Sequence, residues 1–350
     1  MKKDLSGAKI ISHMAIFLLS IAFSSALLGQ GDPDVVWQAD GAGSAIAFST
    51  DGKLLLSGTN LFTAAGGNLV RTFHLPYNGG GVKTVALSPD GQFAAIGIQG
   101  FNQNLDLFRV DDATLIRGRI TAHNNGTTSV AFSPDGQLLA SGGRDGTAKL
   151  WHVPDMTLVQ TLNGGVGYRP RVFAVAFSRD GQILAVGGQG GVLLFRVSDG
   201  SLIRQLDPVV STLSLAISPD NQFIAAGSNA IDQQGQCTDC SIKTWRIADG
   251  ALLQTIDGGN NGIITIAFSP DQQVIAAGSG DRIYDGVVRF WRVSDGTLLR
   301  FFNQDPNNGA SYVTSFAYSP DGNLFAFARA DAHLVVARNP FAPCAACGLH

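Results

Sequence analysis

Short apolar runs broken by tight-turn residues recur along nearly the whole chain, and they follow the two-residue period of strands. Residues 127–162 show the unit. Thr127–Ser133 is β-branched and apolar and predicts a strand, A. Pro134-Asp135-Gly136 predicts a turn, with proline pre-setting φ and glycine taking a positive φ. Gln137–Gly142 predicts strand B, and Arg144-Asp145-Gly146 turns again. Thr147–Val153 and Thr157–Leu162 predict strands C and D. The phrase Ala-Phe-Ser-Pro-Asp-Gly inside this unit has six near-copies elsewhere. Their shared aspartates are Asp51, Asp90, Asp135, Asp180, Asp220, Asp271 and Asp321, at spacings of 39, 45, 45, 40, 51 and 50 residues. A period of about 40–45 residues with four strands is that of a propeller blade. The expected fold is all-β: a seven-bladed β-propeller of four-stranded antiparallel sheets.

Two blades depart from the pattern. In the first, strand C is expected to be short, near Asn60–Ala64, with strand D at Asn68–Phe73. The last has strands A, B and C at about 312–319, 323–328 and 332–338 and no strand D after them. Val35–Ala39, followed by Asp40-Gly41, reads as a strand D with its exit turn. The N-terminal strand is therefore expected to complete blade 7 and close the ring, which leaves no open sheet seam.

Composition supports strands and turns. Charged residues make up 15% of the 350, glycines number 43, and all 27 acidic residues are aspartate. Beyond residue 30 there are 21 basic and 26 acidic residues, with no basic tract, so nucleic acid is not an expected partner. The first 30 residues differ in kind. Lys2, Lys3 and Lys9 precede an apolar run from Met14 to Leu28, the pattern of an export signal and short for a membrane span. The expected organisation is a signal peptide over 1–30 with cleavage near 26–30, one propeller over 31–340, and a cysteine-containing tail over 341–350. The mature chain is expected in the periplasm or outside the cell, with no stable membrane span. An uncleaved N-terminal anchor is the alternative.

Blade 3 carries a resemblance. His123, Ser141, Asp145 and Trp151 stand at the spacing of the buried polar relay of the WD40-repeat family, which the chain resembles over residues 34–338. The resemblance implies that the indole N–H reaches the hydroxyl, the hydroxyl the imidazole, and the imidazole the carboxylate. In that family the four residues are a structural brace and not an acid/base pair. The chain departs from the family elsewhere. The usual Gly-His is Ala122-His123, and arginine or histidine replaces the aspartate of Trp-Asp. The serine recurs only as Ser57, being Ile96, Val186, Ala226 and Ala277 in four other blades. Asp239 and Asp285 keep the Asp145 position. Most blades are then expected to be held by apolar packing.

Candidate chemistry is sparse. Cys237/Cys240 and Cys344/Cys347 are two Cys-x-x-Cys pairs. They are placed on loops expected on opposite faces, so two local disulfides are favoured over a shared zinc. Gly79–Thr84 looks like a phosphate loop but has Val82 before Lys83 and leads into a strand. The histidines show no metal-ligand spacing. No cofactor, metal or catalytic residue is expected.

The two faces of such a ring differ. One carries stereotyped A–B and C–D turns rich in aspartate. The other carries D–A and B–C loops of varied length, with Tyr77, Phe101, Arg144, Tyr168, Arg169, Arg171, Arg282, Tyr284 and Tyr312. Tyrosine and arginine are enriched at binding hot spots. The expected function is a non-enzymatic protein-interaction scaffold, a monomer or part of an assembly, that engages a protein on the loop face. The alternative is a propeller enzyme or small-molecule binder, lactonase- or quinoprotein-like, with a metal at the channel mouth near Asp281 and Asp285. The Ala, Val, Ile and Ser content of strand A argues against it.

Overall fold

The computed structural model describes residues 32–76, 81–99, 105–165, 170–207, 211–231, 237–259, 262–280, 286–303 and 311–342. Seven four-stranded antiparallel sheets, one per repeat, form a seven-bladed propeller. Blade 3 consists of Thr127–Phe132, Leu138–Gly143, Thr147–His152 and Leu158–Asn163. Strand A of each blade packs against strand A of the next, and blade 7 meets blade 1 in the same way. These strands wall a central channel. Among the described residues none is helical, so no helix there is long and apolar enough to cross a membrane.

Burial along each blade explains its sequence. Strands B and C lie between two neighbouring sheets and are apolar on both sides, as in Phe93–Gln99 and Val274–Ser279. Strand D is the outer edge and leaves apolar pairs exposed, among them Leu158 and Val159, and Leu202 and Ile203. Seven buried apolar clusters sit one at each blade interface. The one between blades 6 and 7 is the most aromatic, with Phe290 in edge contact with Phe302, Phe316 and Phe325.

The ring closes through its own beginning. Val35–Ala39 pairs antiparallel with Leu334–Arg338 and completes blade 7. Asp34 takes an ion pair from Arg338 at 3.0 Å, and Asp40 lies 2.5 Å from His333 Nδ1. Trp37 crosses to blade 1. Its indole N–H donates to the Ala64 carbonyl at 2.7 Å, and its ring packs on Phe62 at 5.6 Å. Gly67, at φ +66, lies under that ring, where an added Cβ would come within 2.5 Å of it.

The seven A–B turns share one circuit. In the first, Ser49 donates to Asp51 at 2.6 Å, the same carboxylate accepts the Lys53 N–H, and Ser49 Oγ accepts the Leu54 N–H. The circuit recurs at Ser88/Asp90, Ser133/Asp135, Ser178/Asp180, Ser218/Asp220, Ser269/Asp271 and Ser319/Asp321. Five of the turns end in glycine at φ 70–72. The two that lack glycine put Asn221 and Gln272 at positive φ, 60 and 63, a conformation less costly for asparagine than for most residues.

The structure differs from the sequence reading in details. Strand A of blade 3 stops at Phe132, because Ser133 is spent in the turn circuit. The B–C loop of blade 5, which carries Cys237 and Cys240, contains a two-stranded ribbon, Ala230–Ile231 with Cys237–Asp239, that the sequence reading does not predict. Strand A carries a bulge in six blades, as between Val82 and Thr84 and between Thr127 and Ser129. Periodicity alone gives no sign of it.

Two outcomes follow from closure and from the turns. Deleting residues 32–40 opens the edge of Leu334–Arg338 and uncovers the blade 7–blade 1 cluster. The melting temperature should fall by about 10 °C or more, with aggregates in size-exclusion chromatography; an unchanged melt would refute closure as a stabilising element. The second outcome concerns acid. Serine hydroxyls, then backbone N–H groups, hold the carboxyls of Asp51, Asp135, Asp180 and Asp321 below the usual carboxylate range. Folded-state pKa values depressed in this way stabilise the ring above the unfolded carboxyl pKa of about 4, and the gain disappears as pH falls through the folded values. Ser133→Ala should cost about 1–2 kcal/mol near neutrality. Melts between about pH 7 and pH 2 should show the gap to wild type narrowing as Asp135 protonates. A gap independent of pH would exclude the charged bond as its source.

Candidate functional site

The relay residues meet inside blade 3. Trp151 Nε1 donates to Ser141 Oγ at 2.8 Å, Ser141 Oγ lies 2.8 Å from His123 Nε2, and His123 Nδ1 lies 3.0 Å from Asp145 Oδ1. One set of directions satisfies every atom: the Ser141 O–H donates to Nε2, and the Nδ1–H donates to Asp145. Burial alone would raise the Asp145 pKa. The bond and attraction from His123, the Thr147 hydroxyl and the Asn124 N–H outweigh it and hold the carboxyl far below the usual range.

Serine, histidine and aspartate in this order have the connectivity of a nucleophilic triad. Two observations exclude that use. Ser141 is 0% exposed and His123 1%, so no substrate reaches them. The serine hydroxyl is also tied to Trp151, whose indole N–H it accepts, so it is held from both sides inside the blade. The cluster satisfies buried polar groups and braces the blade.

Other blades solve the same problem with charge. In blade 5, Asp239 accepts from Ser228, Ser241 and Lys243, and Lys243 also bonds Asp207 at 2.7 Å. In blade 6, Arg289 donates to Ser279 at 2.8 Å. In blade 2, the buried Asp106 accepts the Arg119 N–H. Asp106, Lys149, Lys243 and Arg289 all stand two residues before the aromatic of strand C. That register was available in the repeat alignment, and the sequence reading did not use it. Ser57 is fully buried, and its hydroxyl has no partner among the described residues, so the serine recurs in blade 1 without a relay.

Of the loop-face candidates, three are described. Arg144 lies in the B–C turn of blade 3 and lines the channel. Arg171 and Tyr312 immediately precede strand A of blades 4 and 7, three blades apart, so the three do not form one cluster. Tyr77, Phe101, Tyr168, Arg169, Arg282 and Tyr284 lie outside the described residues, as do Asp281, Asp285, Cys344 and Cys347. Cys240 is buried and disulfide-bonded; the side chain of Cys237 is outside the described set. Among the described residues no three His, Cys, Asp or Glu side chains gather to hold a metal.

Partner bonds are regular on the turn face and uneven on the loop side, where Lys243 pairs with Asp207 and Asp239 and Arg329 with Asp331. On the turn face, Arg109, Arg196, Arg246 and Arg292 pair with Asp112, Asp199, Asp249 and Asp295 of their own C–D turns. The Asp295 carboxyl is pulled down to about 2, first by the Thr297 N–H and hydroxyl and then by Arg292. On the loop side, no hydrogen bond or ion pair from a described residue reaches the Arg144 or Arg171 guanidinium. Burial and then the nearby Arg144 charge push the Lys83 ammonium below the usual lysine range. The channel wall carries hydroxyls and two cations, so it is more polar than the small residues of strand A suggest.

Comparison with known proteins agrees with this architecture. The WD40 family (WD domain, G-beta repeat) matches residues 115–152, 156–196, 200–246 and 250–292. An uncharacterized WD repeat-containing protein of Synechocystis is 30% identical over 121 residues, which cover 35% of this chain and 30% of that one. A periodic tryptophan protein 2 homolog of Dictyostelium discoideum is 24% identical over 287 residues, 80% of this chain and 29% of its own. The homolog from Neurospora crassa is 27% identical over 120 residues, 34% of this chain and 12% of its own. The matches thus span less than a third of these relatives. The chain is thus a seven-bladed β-propeller in which four repeats, within residues 115–292, match the WD40 family.

Proposed function

We propose that the chain is a non-enzymatic scaffold that binds a protein partner on its D–A/B–C loop face. The observation that carries this reading is that two loop-side arginines lack partners among the described residues, although neighbours such as Arg329 are paired. Turn-face aspartates are consumed by serines, backbone N–H groups and neighbouring arginines. Arg144 and Arg171 on the other side have no such partner among the described residues. A cation left free on a rigid ring is available to a ligand, and loops on a rigid scaffold are where binding usually lies. The buried Ser141–His123–Asp145 cluster gives no support to catalysis. The relatives' names, WD repeat-containing and periodic tryptophan protein, fit a scaffold class without naming a partner for this chain.

The rim test uses three of the loop-face residues expected from the sequence. Tyr168→Ala/Arg169→Ala/Tyr284→Ala should lose capture of the partner by about tenfold or more in pull-downs from the host's extract. Asp199→Ala/Asp249→Ala on the turn face should keep it, with both variants melting like wild type. Equal capture by all three proteins would exclude the loop face.

The same reading places the mature chain, residues 31–350, in an exported compartment after removal of 1–30, with Cys237–Cys240 and Cys344–Cys347 as local disulfides. Supporting this are the charged and apolar leader and the disulfide-bonded state of Cys240. Mass spectrometry of protein from its native host should find an N-terminus near residues 26–30 and no free thiol before reduction. An intact Met1 with four alkylatable cysteines would overturn export.

A further inference from the structure

The strand-A bulges re-aim one side chain per blade. In six blades the bulged residue, Lys83, Thr128, Phe173, Leu213, Ile264 or Thr314, stands seven before the turn aspartate and lines the channel. There the channel widens to a cavity of ≈ 360 Å³, within the range of small-molecule sites. Its two sides differ. Lys83 of blade 2 and Arg144 of blade 3 bring two cations to one side. Phe173, Leu213 and Ile264, half-buried on blades 4 to 6, make the other side apolar.

The wall between them is rich in donors. Thr84 accepts the Val130 N–H at 3.1 Å, Ser129 the Val175 N–H at 3.1 Å, Thr265 the Phe316 N–H at 3.1 Å, and Ser315 the Ile46 N–H at 3.3 Å. Each hydroxyl thus accepts from the next blade, while its own hydrogen has no acceptor among the described residues. A hydroxyl has one donor and two acceptor sites, so these four present the donor. Among the described residues no carboxylate lines the cavity. Lys83 is exposed at the channel lining, and its place among the walls beside the like charge of Arg144 pushes its ammonium below the usual lysine range. A cation or a neutral polar ligand leaves that repulsion in place. An anion removes it.

We propose that the loop-side end of the channel binds a small organic oxyanion, its charged head held by Lys83 and Arg144 and its apolar body lying on Phe173, Leu213 and Ile264. The head is a phosphate or a carboxylate, which share the acceptor chemistry these donors require. This site does not depend on a protein at the rim.

Calorimetric titration of the full-length protein, at matched ionic strength, tests it with phenyl phosphate, benzoate, inorganic phosphate and phenol. At least one aromatic anion should bind, and phenol should not. Tighter binding of phenyl phosphate than of benzoate identifies a phosphate head, and the reverse a carboxylate. Lys83→Met and Arg144→Met should each weaken the aromatic anion by about tenfold or more, the scale of a hydrogen bond to a charged group. Phe173→Ala should weaken it while leaving inorganic phosphate unchanged. Thermal melts check that each variant is folded, and Lys83→Met should still capture any rim partner, so the two sites fail separately. The proposal is overturned if wild type binds neither aromatic anion, if folded Lys83→Met and Arg144→Met bind as wild type does, or if phenol binds as tightly as phenyl phosphate.

Discussion

The pairing of Val35–Ala39 with Leu334–Arg338 turns a row of sheets into a ring. Each sheet is too thin to bury its own apolar faces, so its stability comes from the sheet on either side. Seven blades in a row share six interfaces, whereas the same blades in a ring share seven. The extra interface is the cluster of Ala42, Ile46, Leu55 and Phe62 against Ala326, Ala328, Leu334 and Val336. The closing strand also sends Trp37 onto blade 1, so it bonds to blade 7 through its backbone and to blade 1 through its side chain. Residues nearly three hundred positions apart then melt together.

Within that ring, local turns and long-range contacts divide the work. Every A–B turn satisfies its own serine and aspartate through a Ser-x-Asp circuit, and Asn221 also accepts the Arg179 N–H of the neighbouring turn at 2.6 Å. Among the described residues the buried relay appears in blade 3 alone. In blades 2, 5 and 6 an aspartate, lysine or arginine two residues before the strand-C aromatic does a comparable job with different partners. The family's brace is therefore one solution among several to a common demand, that polar groups enclosed between sheets find partners. Apolar clusters at all seven interfaces supply what the missing relays do not.

Much of this was legible in the chain itself. The repeated phrase gave the blade count, because a Ser-x-Asp turn leaves a local signature whatever surrounds it. The missing fourth strand after residue 338 pointed back to Val35–Ala39, because an unpaired edge must be covered. The polarity of the channel was not legible in the same way. A strict alternation along Gly81–Leu87 does not single out Lys83, and the bulge between Val82 and Thr84 changes which side chain faces the lumen. Bulges depend on backbone hydrogen bonding between strands, for which single residues carry little signal. Arg144 was picked out as a loop-face residue. That it lies beside Lys83 depends on how blades 2 and 3 pack, and no spacing along the chain encodes that distance.

Charge is distributed along the axis of the ring as well as around it. The Asp-Gly turns gather carboxylates on one face, several of them exposed even when paired. Beyond the leader the chain is acidic, with 26 aspartates against 21 basic residues. Arg144, Arg171 and Lys83 lie toward the opposite face. Exposed charges are screened beyond a Debye length of about 8 Å in physiological salt, so the turn-face carboxylates act mainly on what touches them. Cations at a walled channel mouth are screened less, because protein replaces electrolyte around them. On the proposal of an anion site, the loop-side cations would hold an anionic group that the exposed turn-face carboxylates do not attract. Such a preference would be local, set by which cations lack partners among the described residues, because the net charge of the chain opposes anion binding.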